Sequence, residues 1–135
     1  MRRLLIPGVM AVALATLAAG CGNVQTETSA TTSYTETFTG IVNPGGGALH
    51  TFTVTQAGSI TASLTTIGDD NTRILGLALG NWSGNACQIA VADDTAPQNL
   101  VLTAKVSAAG TLCARVYDSQ AVPDATSYVL SVTHP

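Results

Sequence analysis

The chain has 135 residues, 10% of them charged and 4% aromatic, with a formal net charge of −3. That length suits one domain with accessories. Beyond Arg2 and Arg3 the only basic residues are Arg73, Lys105 and Arg115, scattered singly, which argues against a nucleic-acid partner because phosphate neutralisation needs several convergent cations.

The first element is N-terminal. Met1-Arg2-Arg3 is a short positive start, and Leu4 to Ala19 follows without a charge. Such a stretch is short for a membrane span, which needs roughly 20 apolar residues, and Pro7 and Gly8 weaken it as a permanent helix. It has the form of a secretory signal. The signal ends in "LAAGC", residues 17 to 21, which resembles the lipobox of bacterial lipoproteins. The resemblance implies cleavage after Gly20, a diacylglycerol on the sulfur of Cys21, and acylation of the new amino terminus. Leu17 lies one place further out than is commonest in that family, with Ala18 in the usual leucine position. Without Arg2 and Arg3 the mature balance is three basic against eight acidic residues, a net charge of −5. Each buried CH₂ of an acyl chain contributes about 0.8 kcal/mol, so two or more chains anchor durably without a transmembrane helix.

Residues 21–33 open with Cys21 and continue polar and small, "GNVQTETSATTS". They read as a flexible tether, the alternative being one additional strand. From residue 34 to 135 the composition turns to Thr, Val, Ser, Ala, Leu and Gly, which suits strands and turns. "YTETFTGIV" is the first run and "NPGGG" its loop. "ALHTFTVT" alternates, with His50, Phe52 and Val54 on one face and threonines on the other. "SITASLTTI" places Ile60, Ala62 and Leu64 in register, and "GDDN" turns the chain. "TRILGLALG" is apolar or small on both faces, which predicts a central strand covered on both sides. "NWSGN" reads as a loop, "ACQIAVA" as a strand closed by "DDTAPQ", and "NLVLTAKV" and "TLCARVYD" as the next two strands. "SYVLSVTH" closes the domain with Tyr128, Leu130 and Val132 facing inward.

About eight strands at regular spacing, with no helical periodicity after residue 22, predict an all-β fold: a single antiparallel β-sandwich, jelly-roll-like, after the signal peptide (1–20) and tether. The body resembles the bacterial pre-peptidase C-terminal domain. "FTGIVNPGGGALHTFTVTQAGSITASL" is similar to that family's opening, "AAGTLCARVYD" to its late strand and "SYVLSVT" to its last. Leu112 and Cys113 stand where that family commonly has aromatics, and "NTRILGLAL" replaces its second aspartate and aromatic. The resemblance implies a small, generally non-catalytic sandwich.

Cys87 and Cys113 remain once Cys21 is assigned to lipid. Export to an oxidising compartment predicts a disulfide between them, against the alternative of two buried thiols. Asp69-Asp70 and Asp93-Asp94 could offer oxygens to Ca²⁺, or simply make good turns. Trp82 could stack on a sugar or fill a partner's pocket, or fold back over the sandwich edge. His50 and His134 stand alone, and no nucleophile signature accompanies them. The sequence therefore leads to a non-catalytic cell-envelope lipoprotein, not an enzyme, that displays an interaction or structural module and is held to the membrane by its lipid. Its partner would be an envelope protein or a glycan, and Gly22 in place of an Asp after Cys21 favours the outer membrane. The second reading is a carbohydrate- or calcium-dependent binding module.

Overall fold

The computed structural model describes residues 31–70 and 72–135. The signal 1–20, Cys21, the tether as far as residue 30, and Asn71 lie outside the described residues. Eight strands follow one another: β1 (Tyr34–Val42), β2 (Gly47–Val54), β3 (Gly58–Ile67), β4 (Leu75–Trp82), β5 (Cys87–Ala96), β6 (Val101–Val106), β7 (Gly110–Tyr117) and β8 (Thr126–His134). They form two four-stranded sheets, ordered β1-β8-β3-β6 and β2-β7-β4-β5, and every pairing is antiparallel. The strand order is that of a jelly roll. Only β4 and β5 are joined as a hairpin within one sheet, because every other connection carries the chain from one sheet to the other.

Period-2 alternation sets which face of each strand is buried. Phe52, Val54, Ile60, Ala62, Leu64, Tyr128, Leu130 and Val132 all enter the core, as the alternation predicts. The threonines left over face outward and align across strands. Thr35, Thr133, Thr61 and Thr103 form one row across all four strands of the first sheet, and the Thr35 and Thr133 hydroxyls lie 2.9 Å apart. Such cross-strand pairs of β-branched residues stabilise a pleated surface. Among the described residues no helix is long and apolar enough to cross a membrane.

β4 is central in its sheet, and Leu75 through Gly80 are buried on both faces. Leu75, Leu77 and Leu79 face the other sheet as core. The outer face is covered by the sheet's own neighbours instead of by a further layer. The Tyr117 ring lies over Gly76, and the β5 backbone at Gln88 and Ile89 lies over Gly80. A side chain at either glycine would occupy space already filled, in the second case by backbone.

The end points of several strands differ from the sequence reading. β5 runs on through Asp93, Asp94 and Thr95 to Ala96 instead of ending before "DDTAPQ". It does so through two register shifts against β4, since bulges let a strand absorb residues that do not fit the alternation. β4 likewise continues through Asn81 to Trp82, so Trp82 is a strand residue and not a loop residue. The turn itself is Ser83 to Ala86, closed by the Ser83 amide donating to the Ala86 carbonyl at 3.0 Å.

Because the clash at Gly80 is with backbone, it cannot be relieved by a rotamer change. Gly80→Ala is expected to destabilise the domain by about 1–3 kcal/mol, the usual cost of overpacking, read as a lower urea midpoint. Ala78→Gly on the same face should produce only the smaller loss of about 0.5–1 kcal/mol expected from added backbone freedom.

Candidate functional site

The sequence-selected residues fall into three places. The first is the outer face of the β2-β7-β4-β5 sheet, where Cys87 and Cys113 form a disulfide with a Cα–Cα separation of 5.8 Å. These cysteines belong to β5 and β7, the strands that flank β4. In a flat sheet, strands two places apart lie about 9.5 Å from each other, beyond the reach of a disulfide. The bond forms because β5 curls over Gly80 at the register shift between Leu79 and Gly80. Trp82 pairs directly with Cys87 across the hairpin, which places its side chain on the disulfide's face, half-buried.

Further along this face, the Arg115 guanidinium carbon sits 5.4 Å from the Tyr117 ring centroid. The Tyr117 hydroxyl donates to Asp94 Oδ1. Burial, with the Asp94 hydrogen bond second, pushes the Tyr117 phenol up to about 12, so it stays protonated as the donor. Ser119 and Gln120 donate to the Asp94 carbonyl at 2.6 and 3.2 Å. Asp93 is spent differently, accepting from the Thr95 amide at 2.7 Å and the Thr95 hydroxyl at 2.9 Å.

The second place is a shallow polar depression of about 130 Å³ between the β3–β4 and β7–β8 connections. Arg73 fills it, paired with Asp124 and donating to the Thr126 hydroxyl at 2.8 Å. Asp124 holds the guanidinium charged, with Asp70 and Asp69 adding to the effect. In return the hydrogen bond from Arg73 keeps the Asp124 carboxyl below its ordinary range. Asp70 also caps its own turn, accepting from the Thr72 amide and hydroxyl at 3.3 and 2.9 Å. The two acidic pairs are thus committed separately, Asp69-Asp70 beside a cation and Asp93-Asp94 on β5. Among the described residues no three His, Cys, Asp or Glu side chains come together to hold a metal.

The third place is the side of the sandwich where β1 and β2 run as neighbouring edges. Both histidines enter here. His50 Nε2 lies 2.6 Å from the Tyr128 hydroxyl, and its ring stacks on Phe38 with centroids 4.8 Å apart. Tyr128 is 2% exposed. His134, only 4% exposed, stacks on Phe52 at 5.3 Å. Its Nε2 lies 2.9 Å from Glu36 Oε1 and its Nδ1 3.2 Å from the Pro135 carbonyl. The hydrogen bonds of both rings go to a tyrosine, a carboxylate and a carbonyl.

The sandwich interior opens at one end, beside the β6–β7 connection, in a cleft lined by Phe52, Ile60, Leu79, Leu112 and Lys105. Its volume of about 40 Å³ admits water but not a ligand, since small-molecule sites occupy roughly 300–1,000 Å³.

Two residues with structural roles escape sequence reasoning. Asp118 accepts from the amides of Gly45, Val122 and Gln120 at 2.7, 3.0 and 3.3 Å. It thereby ties the "NPGG" turn to the β7–β8 connection, and the Gly45 amide leads the causes that hold its carboxyl low. The Asp after a strand is a recognisable turn signal, but its long-range partner is not. His134 gives no signal at all, because a penultimate residue ordinarily lies at a frayed end.

No protein-family model matches the chain, and no curated protein matches it.

Closing 26 residues of sequence separation, the disulfide should contribute roughly 3–4 kcal/mol on a loop-entropy basis. Reduction under non-denaturing conditions is therefore expected to lower the unfolding free energy by about that amount in urea titrations. A second expectation concerns pH. Burial holds His50 below its ordinary value of 6.5, so the unfolded chain binds its proton first as pH falls. The stabilising contribution of neutral His50 is full above about pH 6.5 and is lost as pH drops through the lower folded value. His50→Gln, which keeps a polar atom near Tyr128, should flatten the fall of melting temperature just below pH 6.5. The acid limb near and below the carboxylate range, set by Asp118 and Asp124, should remain.

Proposed function

We propose that the protein is a lipid-anchored, non-catalytic component of the bacterial cell envelope. It displays its β-sandwich, on a short tether from Cys21, as a structural or interaction module of the pre-peptidase C-terminal type. The observation that carries this reading is the "LAAGC" sequence at residues 17 to 21, set directly after a basic start and an uncharged apolar stretch. The Cys87–Cys113 disulfide is in keeping with export, since such bonds persist in oxidising compartments. The engagement of both histidines in packing and the small interior cleft also favour a module that acts through its surface. Gly22, in place of an Asp after Cys21, favours the outer membrane over the inner.

A glycan- or calcium-dependent module draws less support. Trp82 is half-buried beside Cys87, and Asp70, Asp93 and Asp94 already accept from Thr72, Thr95 and Tyr117. An envelope protein is the better partner class.

Mass spectrometry of the chain from its native host tests the reading. The expected species begins at Cys21, carries the mass of at least two acyl chains and has Cys87 and Cys113 oxidised. Cys21→Ser should move the protein from the membrane fraction to the soluble fraction. A native chain that retains Met1, or whose Cys21 bears no hydrocarbon, overturns the proposal.

A further inference from the structure

The four sheet edges are unequal. β5 is guarded, with two register shifts against β4, Asp93 and Asp94 within it, and its end tied down by the disulfide. β6 has six residues and presents Lys105. Bulges, charges and short length are the means by which edges resist pairing. β2 lacks them, pairing with β7 over eight residues without a shift, and so does β1, the longer of the two. β1 pairs with β8 over nine consecutive residues without a register shift, contains no Pro, Lys or Arg, and carries Glu36 as its sole charge. That carboxylate turns inward to His134. Tyr34 and Ile41, near its two ends, are 54% and 59% exposed. No hydrogen bond among the described residues ends on the backbone groups of β1 that point away from β8.

We propose that β1 pairs antiparallel with β1 of a second copy, joining two four-stranded sheets into one. The occupant is an identical strand because β1 is complementary to itself. When all nine residues are used, Phe38 faces its counterpart, Thr37 faces Thr39 and Thr35 faces Ile41, while Glu36 faces Gly40. No like charges are opposed, and the exposed isoleucine gains a β-branched neighbour. The arrangement is isologous and closes at two copies, unlike an open edge that propagates. In this pairing the described residues 31–33 of the two copies leave the seam at opposite ends. The inference does not depend on how the chain is anchored.

The test is sedimentation of the full chain in detergent over a range of protein concentrations. The wild type is expected to be dimeric. Thr37→Lys with Thr39→Lys places lysines opposite each other at the seam and should weaken the dimer about tenfold. Its circular dichroism should be unchanged, since both positions face solvent. Mixing this variant with Thr37→Glu/Thr39→Glu copies should restore a heterodimer, a result that shared micelles or shared lipid cannot produce. Thr51→Lys with Thr53→Lys on β2 is the control and should leave the dimer intact. A wild type that is monomeric at every concentration overturns the proposal. So does a dimer indifferent to the lysine pair on β1, or one dispersed by the pair on β2.

Discussion

The second sheet depends on a strand that presents almost nothing on its outer face. Gly76, Ala78 and Gly80 leave the outer surface of β4 as bare backbone, and two pieces of structure lie directly on it: the Tyr117 ring and the β5 main chain. Without that flatness β5 would stay one strand spacing out from β4, and Cys87 could not reach Cys113. The same small residues therefore permit burial of β4 on both faces, the curl of the hairpin and the covalent link between the strands on either side. A chain with 4% aromatic residues has little bulk with which to build a thick core. Folding one sheet's own edge back over its centre supplies burial that side-chain volume cannot.

At the other side of the sandwich the economy is different. Aromatic and imidazole rings from β1, β2 and β8 stack in the gap between the two edges: Phe38 on His50, Phe52 on His134, and Tyr128 edge-on to His50. Each polar ring brings atoms that are costly to bury unpaired, and each finds a partner on another strand, His50 on Tyr128 and His134 on Glu36. These contacts join residues from near the start and the end of the domain. The sandwich thus forms as a unit, with few local contacts to hold any part of it alone, as the non-local topology of such folds dictates.

Alternation along each strand was readable because its cause is local: a half-buried strand must place apolar groups at every second position. That is why the Phe52, Ile60 and Tyr128 faces could be assigned from sequence, and why the all-small pattern of β4 pointed to a doubly covered strand. What the pattern could not contain is the identity of the cover, because Tyr117 and Gln88 approach β4 from other strands. Trp82 and the Asp93-Asp94 pair read as loop residues because Gly, Asn and Asp ordinarily end strands. Here bulges carry β5 past them, and a bulge is set by pairing with β4 and not by the local sequence. Asp118 and His134 were missed for the same reason: their partners, Gly45 and Glu36, lie far off in the chain. The candidate site was less legible than the fold, since side-chain alternation fixes a face but leaves the partners on that face unassigned.

The distribution of guarded and unguarded edges bears on what the molecule does. On the β5/β6 side the chain spends a disulfide, two bulges, two aspartates and a lysine, all of which oppose pairing with another strand. On the β1/β2 side it spends none, although nine unbulged residues there form the longest uninterrupted pairing in the structure. That asymmetry is not needed for stability, because an edge can be capped by a single outward lysine at little energetic cost. It is also the side on which the segment leading to Cys21 joins the domain. For a protein held to a surface by that segment, neighbouring copies meet in two dimensions, where even a modest edge-to-edge affinity is amplified by local concentration. Under the proposed anchoring, the unguarded edge favours association between neighbouring copies in the plane of the membrane.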